Sequence, residues 1–157
     1  MAIDDSLRGA SILHAIKNIV VACICTVTSS AIVAFAFREK LKGFDPGFSD
    51  LSFIDAIVQV GMLGPAVETV FVGILVSAVL TPLLRQRGAV IVASAGFFAS
   101  LHAVFNAYWG IVVFFPFVVY SYIFVRYSKC GWRWAYGMTF LVHAIHNTVA
   151  VFAAIFS

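Results

Sequence analysis

Apolar residues fill five stretches of this chain, with polar segments between them. The runs predict spanning helices at Ile19–Phe37, Pro65–Leu84, Ala89–Ala107, Trp109–Val125 and Trp134–Phe156. Each is close to the ~20 residues an α-helix needs to cross ~30 Å of hydrocarbon. A shorter stretch, Leu51–Leu63, carries Asp55 and Gln59 among Phe53, Ile54, Ile57 and Val58. That mixture predicts an interfacial or re-entrant helix. Gly64-Pro65 reads as a break that starts the second span, with proline near its first turn. Gly43-Phe44-Asp45-Pro46-Gly47 reads as a turn-rich loop. No internal repeat, low-complexity tract or linker divides the chain, so residues 1–157 are expected to form a single domain. The expected fold class is all-α, a polytopic membrane helical bundle of about five transmembrane helices plus a short interfacial helix.

Composition sharpens this picture. The chain is 62% hydrophobic and 11% charged, with 16 Phe in 157 residues. Soluble domains run nearer 45–50% apolar and about 25% charged. The first apolar run is too long for a signal-peptide core and lacks a small-residue cleavage site, so no removed leader is expected. A net charge of +3, scattered along the chain, excludes a nucleic-acid footprint and fits loops that touch anionic headgroups. With the N-terminus in the cytoplasm, the inner flanks hold Arg8, Lys17, Arg85, Arg87, Arg126, Lys129 and Arg133. The outer flanks then hold only Arg38, Lys40 and Lys42, which satisfies the positive-inside rule. Tyr108, Trp109, Trp132 and Trp134 flank spans and read as interfacial anchors. Cys23, Cys25 and Cys130 show neither a disulfide framework nor zinc spacing and read as small apolar side chains.

The polar residues inside the spans carry the candidate chemistry. Of seven acidic residues, six lie in polar segments and one, Glu68, lies within an apolar run. A lone carboxylate in a lipid-spanning helix costs about 2.5–3.5 kcal/mol on insertion scales, so it normally faces a protein interior and has a partner. His102 and His143 also sit in apolar runs. Glu68 near the start of one span and His102 near the end of the next fall at similar depth if the two helices are antiparallel. Asn147 follows His143 by one turn and shares its helix face. Asn106 bears the same relation to His102. Two helices would thus each present a histidine and an amide, and a third a carboxylate. Such a set could hold a water beside a base, or a divalent metal at Glu68, His102 and His143.

A plainer reading stands beside this one. A membrane His or Asn often only hydrogen-bonds a neighbouring helix, for about 0.6 kcal/mol on average. A carboxylate is harder to explain that way, because Ser or Asn would serve at lower cost. His14 lies in a polar flank and His146 beside the site, and neither carries an assigned role. Several intramembrane chemistries are absent: no HExxH pair, no Asp within a predicted span, and no GxSxG elbow.

Phe98-Ala99-Ser100-Leu101-His102 resembles the FxxxH motif of the CPBP family, the CAAX-protease and bacteriocin-processing membrane proteins. His143-Ala144-Ile145-His146-Asn147 is similar to its HxxxN motif, and Val67-Glu68-Thr69-Val70-Phe71-Val72-Gly73 to a degenerate form of its first motif, EExxxR. The resemblance runs from Pro65 to Asn147, about half the chain. Aligned on Phe71 and Gly73, the first family Glu is replaced by Val67 and the Arg by Val72. Shifted by one, Glu68 is the first Glu, Thr69 replaces the second, and Gly73 occupies the Arg position. In either register one acid and the Arg are missing.

The resemblance implies a bacterial inner-membrane protein acting on a membrane-associated peptide or protein. Glu68, His102, His143 and Asn147 are the expected catalytic residues of a glutamate/histidine-dependent endopeptidase. Glu68 would be general base, the histidines would position the water or bind a metal, and Asn147 would steady the oxyanion. The alternative is a catalytically impaired relative that binds a membrane peptide or partner subunit through the same cavity. A third reading is a proton or small-solute pathway along the Glu–His chain.

Overall fold

The computed structural model describes the backbone of residues 5–45 and 50–156, and side chains from 13 to 45 and from 50 to 155. Pro46 and Gly47 of the expected turn, and the Arg8 side chain, lie outside the described residues. Among those residues the fold is all-helical, with no strand. Helix α1 is Asp5–Ala36, and the short α2 is Arg38–Leu41. A continuous helical run, α3, covers Phe53–Leu84. Then come α4 (Arg87–Ala103), α5 (Ala107–Tyr127) and α6 (Trp132–Phe156).

Four segments are long and apolar enough to cross a membrane: Leu13–Ala36, Phe53–Leu84, Ala107–Cys130 and Trp132–Ile155. Large apolar side chains stand exposed along α1, with Leu13, Ile24, Ile32 and Phe35 each 60% exposed or more. In water such a face would drive association. Against acyl chains it is the matched surface, and the chain is an integral membrane protein by this criterion. The fifth apolar helix, α4, is 17 residues long, about 25 Å at 1.5 Å per residue.

The structure departs from the sequence expectation in two elements. The expected interfacial helix Leu51–Leu63 and the span Pro65–Leu84 are one helical run, not two elements. Ser52 starts it, accepting from the Asp55 amide at 3.2 Å while its hydroxyl donates to the Asp55 carboxylate at 2.6 Å. Gly64-Pro65 does not break the helix. The turn before it, Ile57–Leu63, widens to π geometry, and the Gly64 amide bonds Gln59 O five residues back. Proline lacks the donor for an ordinary i→i−4 bond, and a wider turn moves the carbonyls around it into a different register. The same device recurs at Leu75–Leu80, just before Pro82, where the Thr81 amide bonds Val76 O. Asp55 therefore shares a helix with Glu68, but at its first turn, about 20 Å away along the axis.

The second correction concerns the third span. The expected Ala89–Ala107 helix stops at Ala103. Asn106 is extended (φ −159°, ψ 123°) and caps α5, accepting from the Tyr108 and Trp109 amides at 2.8 and 3.2 Å. An N-cap sits outside the helix it starts, so the chain must leave α4 before it.

Helix α5 is the centre of the bundle. Half of its most apolar window is buried, against 11% for α1. It packs on α1, α4 and α6 and touches α3. Phe98 of α4 stacks on Phe117 of α5 at 4.7 Å, and the buried Ser121 hydroxyl donates to Ser94 at 2.9 Å. Without a hydrophobic force between helices in lipid, close packing and such polar contacts hold the pair. Helix α3 reaches its neighbours through glycine. A Cβ on Gly61 would lie 2.8 Å from Thr148 Oγ1 of α6, and one on Gly73 would lie 2.9 Å from the Phe124 ring of α5.

Candidate functional site

Glu68 sits at the midpoint of α3, not one turn into a span as the break at Gly64-Pro65 had implied. Its neighbour on α6 is His143. The Glu68 Oε2 to His143 Nε2 distance is 3.5 Å, beyond the 2.7–3.2 Å of an ordinary N–H···O bond. The His143 side chain is 3% exposed and that of Glu68 is 33% exposed. The pair is thus one buried base-like ring and one carboxylate with an open side. That difference decides which partner an incoming molecule can reach.

His143 is fixed by its surroundings. Its ring stacks on Tyr120 of α5 at 4.1 Å and meets Phe117 edge-on at 5.7 Å. Among the described residues its buried Nδ1 has no hydrogen-bond partner. Thr69 Oγ1, next to Glu68 on α3, and Thr139 Oγ1, one turn before His143 on α6, are also buried without one. Three orphaned polar atoms around one contact are unusual, because each costs about 1–3 kcal/mol in desolvation.

His102 also packs on Phe117, with ring centroids 5.5 Å apart. Its Nδ1 lies 2.8 Å from Phe98 O, one turn back on α4. A carbonyl only accepts, so Nδ1 carries the proton and a neutral ring leaves Nε2 as an acceptor. His102 and His143 thus both pack on Phe117, and Glu68 reaches the His143 side of this group. Asn147 is turned to another task. Its Nδ2 donates to Val60 O at 3.1 Å, tying α6 to the π turn of α3. One of its two N–H groups is committed there. Asn106, once paired with His102 as an amide one turn away, is the α5 cap and not part of the cluster.

Two site residues carried no role in the sequence. The Tyr120 hydroxyl lies 2.6 Å from His146 Nδ1, and His146 Nε2 lies 3.0 Å from the Ser30 hydroxyl of α1. Either His146 tautomer satisfies the chain: Tyr120 donates to Nδ1 while Nε2–H donates to Ser30, or Nδ1–H donates to Tyr120 while Ser30 donates to Nε2. This links α1, α5 and α6 behind His143. The available signal was Tyr120 itself, a phenol deep in α5 rather than at its ends.

The first motif also acquires a geometry. Val67 is 55% exposed, on the outer side of α3, whereas Thr69 and Val72 are fully buried. Gly73 has no room for a side chain. Glu68 and Thr69 are thus the pair of adjacent positions that turn inward. Among the described residues, no three His, Cys, Asp or Glu side chains are arranged to hold a metal ion. No family model, curated protein or solved structure matches the chain.

Proposed function

We propose that this protein is a CPBP-like intramembrane endopeptidase that depends on Glu68 and histidine and acts on a membrane-associated peptide or protein. The observation that carries the reading is the Glu68–His143 contact at 3.5 Å, with the carboxylate one-third open and the ring enclosed. A carboxylate kept in mid-helix at an energetic cost is a functional residue by default. Glu68 takes a proton from a water that His102 orients through its free Nε2. The resulting hydroxide attacks the scissile carbonyl, and Glu68 returns the proton to the leaving amine. In this reading His143 Nε2–H and the uncommitted N–H of Asn147 supply the donors to the developing oxyanion.

All five apolar helices then cross the membrane, α4 included, with the N-terminus in the cytoplasm of a bacterial inner membrane. The basic side chains at the start of α1 and the end of α5 support that orientation. The test is cleavage of prenylated and leader-type peptides by the reconstituted protein, followed by mass spectrometry. Products that disappear with Glu68→Gln support the reading, and products that persist refute it.

A second reading is favoured by one observation. Thr69 stands where a second acid would turn inward, and the crowding at Gly73 leaves no space for an arginine. With a single acid the cavity serves as a binding site for a membrane peptide or partner subunit. Retained peptide binding without products would select it.

A further inference from the structure

At the basic end of the bundle, far from Glu68 along α3, a cleft of about 1060 Å³ opens between the start of α1, the start of α4 and the end of α5. His14, Arg87, Arg126 and Lys129 line it, and none of its lining residues is acidic. Arg126 is held by neutral acceptors. Its Nη2 donates to His14 Nε2 and its Nη1 to the Tyr122 hydroxyl, both at 3.0 Å. Among the described residues no carboxylate pairs with Arg87, Arg126 or Lys129. A smaller cleft of about 320 Å³ shares Arg87 and Lys129 and adds Arg85, so the positive surface is continuous. The remaining walls of the large cleft are apolar, formed by Ile16, Ile19, Ile91 and Val125, with Trp134 at the edge.

We propose that this cleft binds one anionic phospholipid. Its phosphate lies among Arg87, Arg126 and Lys129, and an acyl chain runs along Ile16, Ile19 and Ile91. Two features select that ligand over its simpler rivals. A free phosphate would leave the isoleucine wall uncovered. A zwitterionic lipid would bring its own cation into a cluster of basic side chains whose described lining holds no acid. Guanidinium groups suit phosphate oxygens because their fork can donate two parallel bonds. Basic pockets between helices at the cytoplasmic side are where anionic headgroups are held. Trp134 fits the headgroup boundary, where its ring is half wet and half apolar.

Trp134 also provides the assay. Trp109→Phe and Trp132→Phe leave it as the single tryptophan reporter. The protein is reconstituted in phosphatidylcholine nanodiscs with increasing fractions of brominated phosphatidylglycerol or brominated phosphatidylcholine. Brominated phosphatidylglycerol is expected to quench Trp134 at a several-fold lower mole fraction. Arg87→Gln, Arg126→Gln and Lys129→Gln should each weaken that preference by about five-fold, the equivalent of one basic residue at an anionic surface. Arg38→Gln with Lys40→Gln, at the other end of α1, should leave it unchanged. Equal quenching by both lipids overturns the site. So does a preference lost equally in the Arg38/Lys40 variant, which would be general surface attraction. Displacement by inorganic phosphate at constant ionic strength would assign the cluster to a free anion and overturn the lipid site as well.

Discussion

The Tyr120 hydroxyl and His146 Nδ1 lie 2.6 Å apart across α5 and α6, and the same Tyr120 ring stacks on His143 at 4.1 Å. One phenol therefore fixes two histidines of the same helix. Its ring sets the tilt of the one facing Glu68, and its hydroxyl anchors the other. In a bilayer, helix contacts gain little from apolar burial, so such bonds specify rotation as well as affinity.

Tyr120→Phe keeps the ring stack and removes the bond to His146. It leaves a buried ring nitrogen unpaired, which costs about 1–3 kcal/mol. Thermal unfolding in detergent should show that loss. Combining it with His146→Phe should cost less than the sum of the single changes, because both act on one bond. Additive losses would mean that the two side chains do not depend on each other.

Glu68→Gln is expected to leave thermal stability in detergent unchanged, or to raise it. Burying a charged carboxylate is unfavourable, and an amide of the same shape removes that cost. A loss of several kcal/mol would instead make Glu68 a structural member of the cluster and weaken the catalytic reading.

Val67→Glu tests the register of the first motif. Val67 is exposed on the outside of α3. A carboxylate there faces lipid at a cost of about 2.5–3.5 kcal/mol and cannot join Glu68. The expected result is lower membrane insertion, measured by glycosylation mapping, and no gain in cleavage. A clear gain in cleavage would place Val67 in the site and reverse the assignment of Thr69 as the inward neighbour.

Gly61→Leu tests how the site is positioned. Its first side-chain carbon would meet Thr148 Oγ1 at 2.8 Å. The π turn of α3 should then move away from α6, breaking the Asn147–Val60 bond and separating Glu68 from His143. Spin labels on α3 and α6 should report a longer distance, with cleavage falling alongside it. An unchanged distance would show that α3 is held by its other contacts.

These expectations also mark what the sequence could reveal. The apolar runs located α1, α5 and α6 to within a few residues, apart from the N-terminal extension of α1, because hydropathy alone defines a lipid-spanning helix. Glu68, His102 and His143 stood out because each is a polar residue in an apolar run. The continuity of α3 was hidden, since Gly64-Pro65 has the composition of a break and only the geometry of the preceding π turn shows that the helix passes through it. Asn106 looked like a helical neighbour of His102 because spacing does not distinguish an interior residue from a cap. The Tyr120–His146–Ser30 chain joins three helices, and no local periodicity encodes a contact between residues 116 positions apart. The outward face of Val67 depended on how α3 is rotated against α6, which glycine contacts and a single amide decide.

The most direct test is a double-mutant cycle on single-turnover cleavage of a membrane peptide in proteoliposomes. The four proteins are wild type, Glu68→Gln, His143→Gln and the combination. If Glu68 and His143 act as a unit, each single change lowers the rate by 10²-fold or more, and the double variant is little slower than Glu68→Gln alone. Rates that fall independently and multiply in the double variant, or a Glu68→Gln protein that cleaves as fast as wild type, would contradict the account.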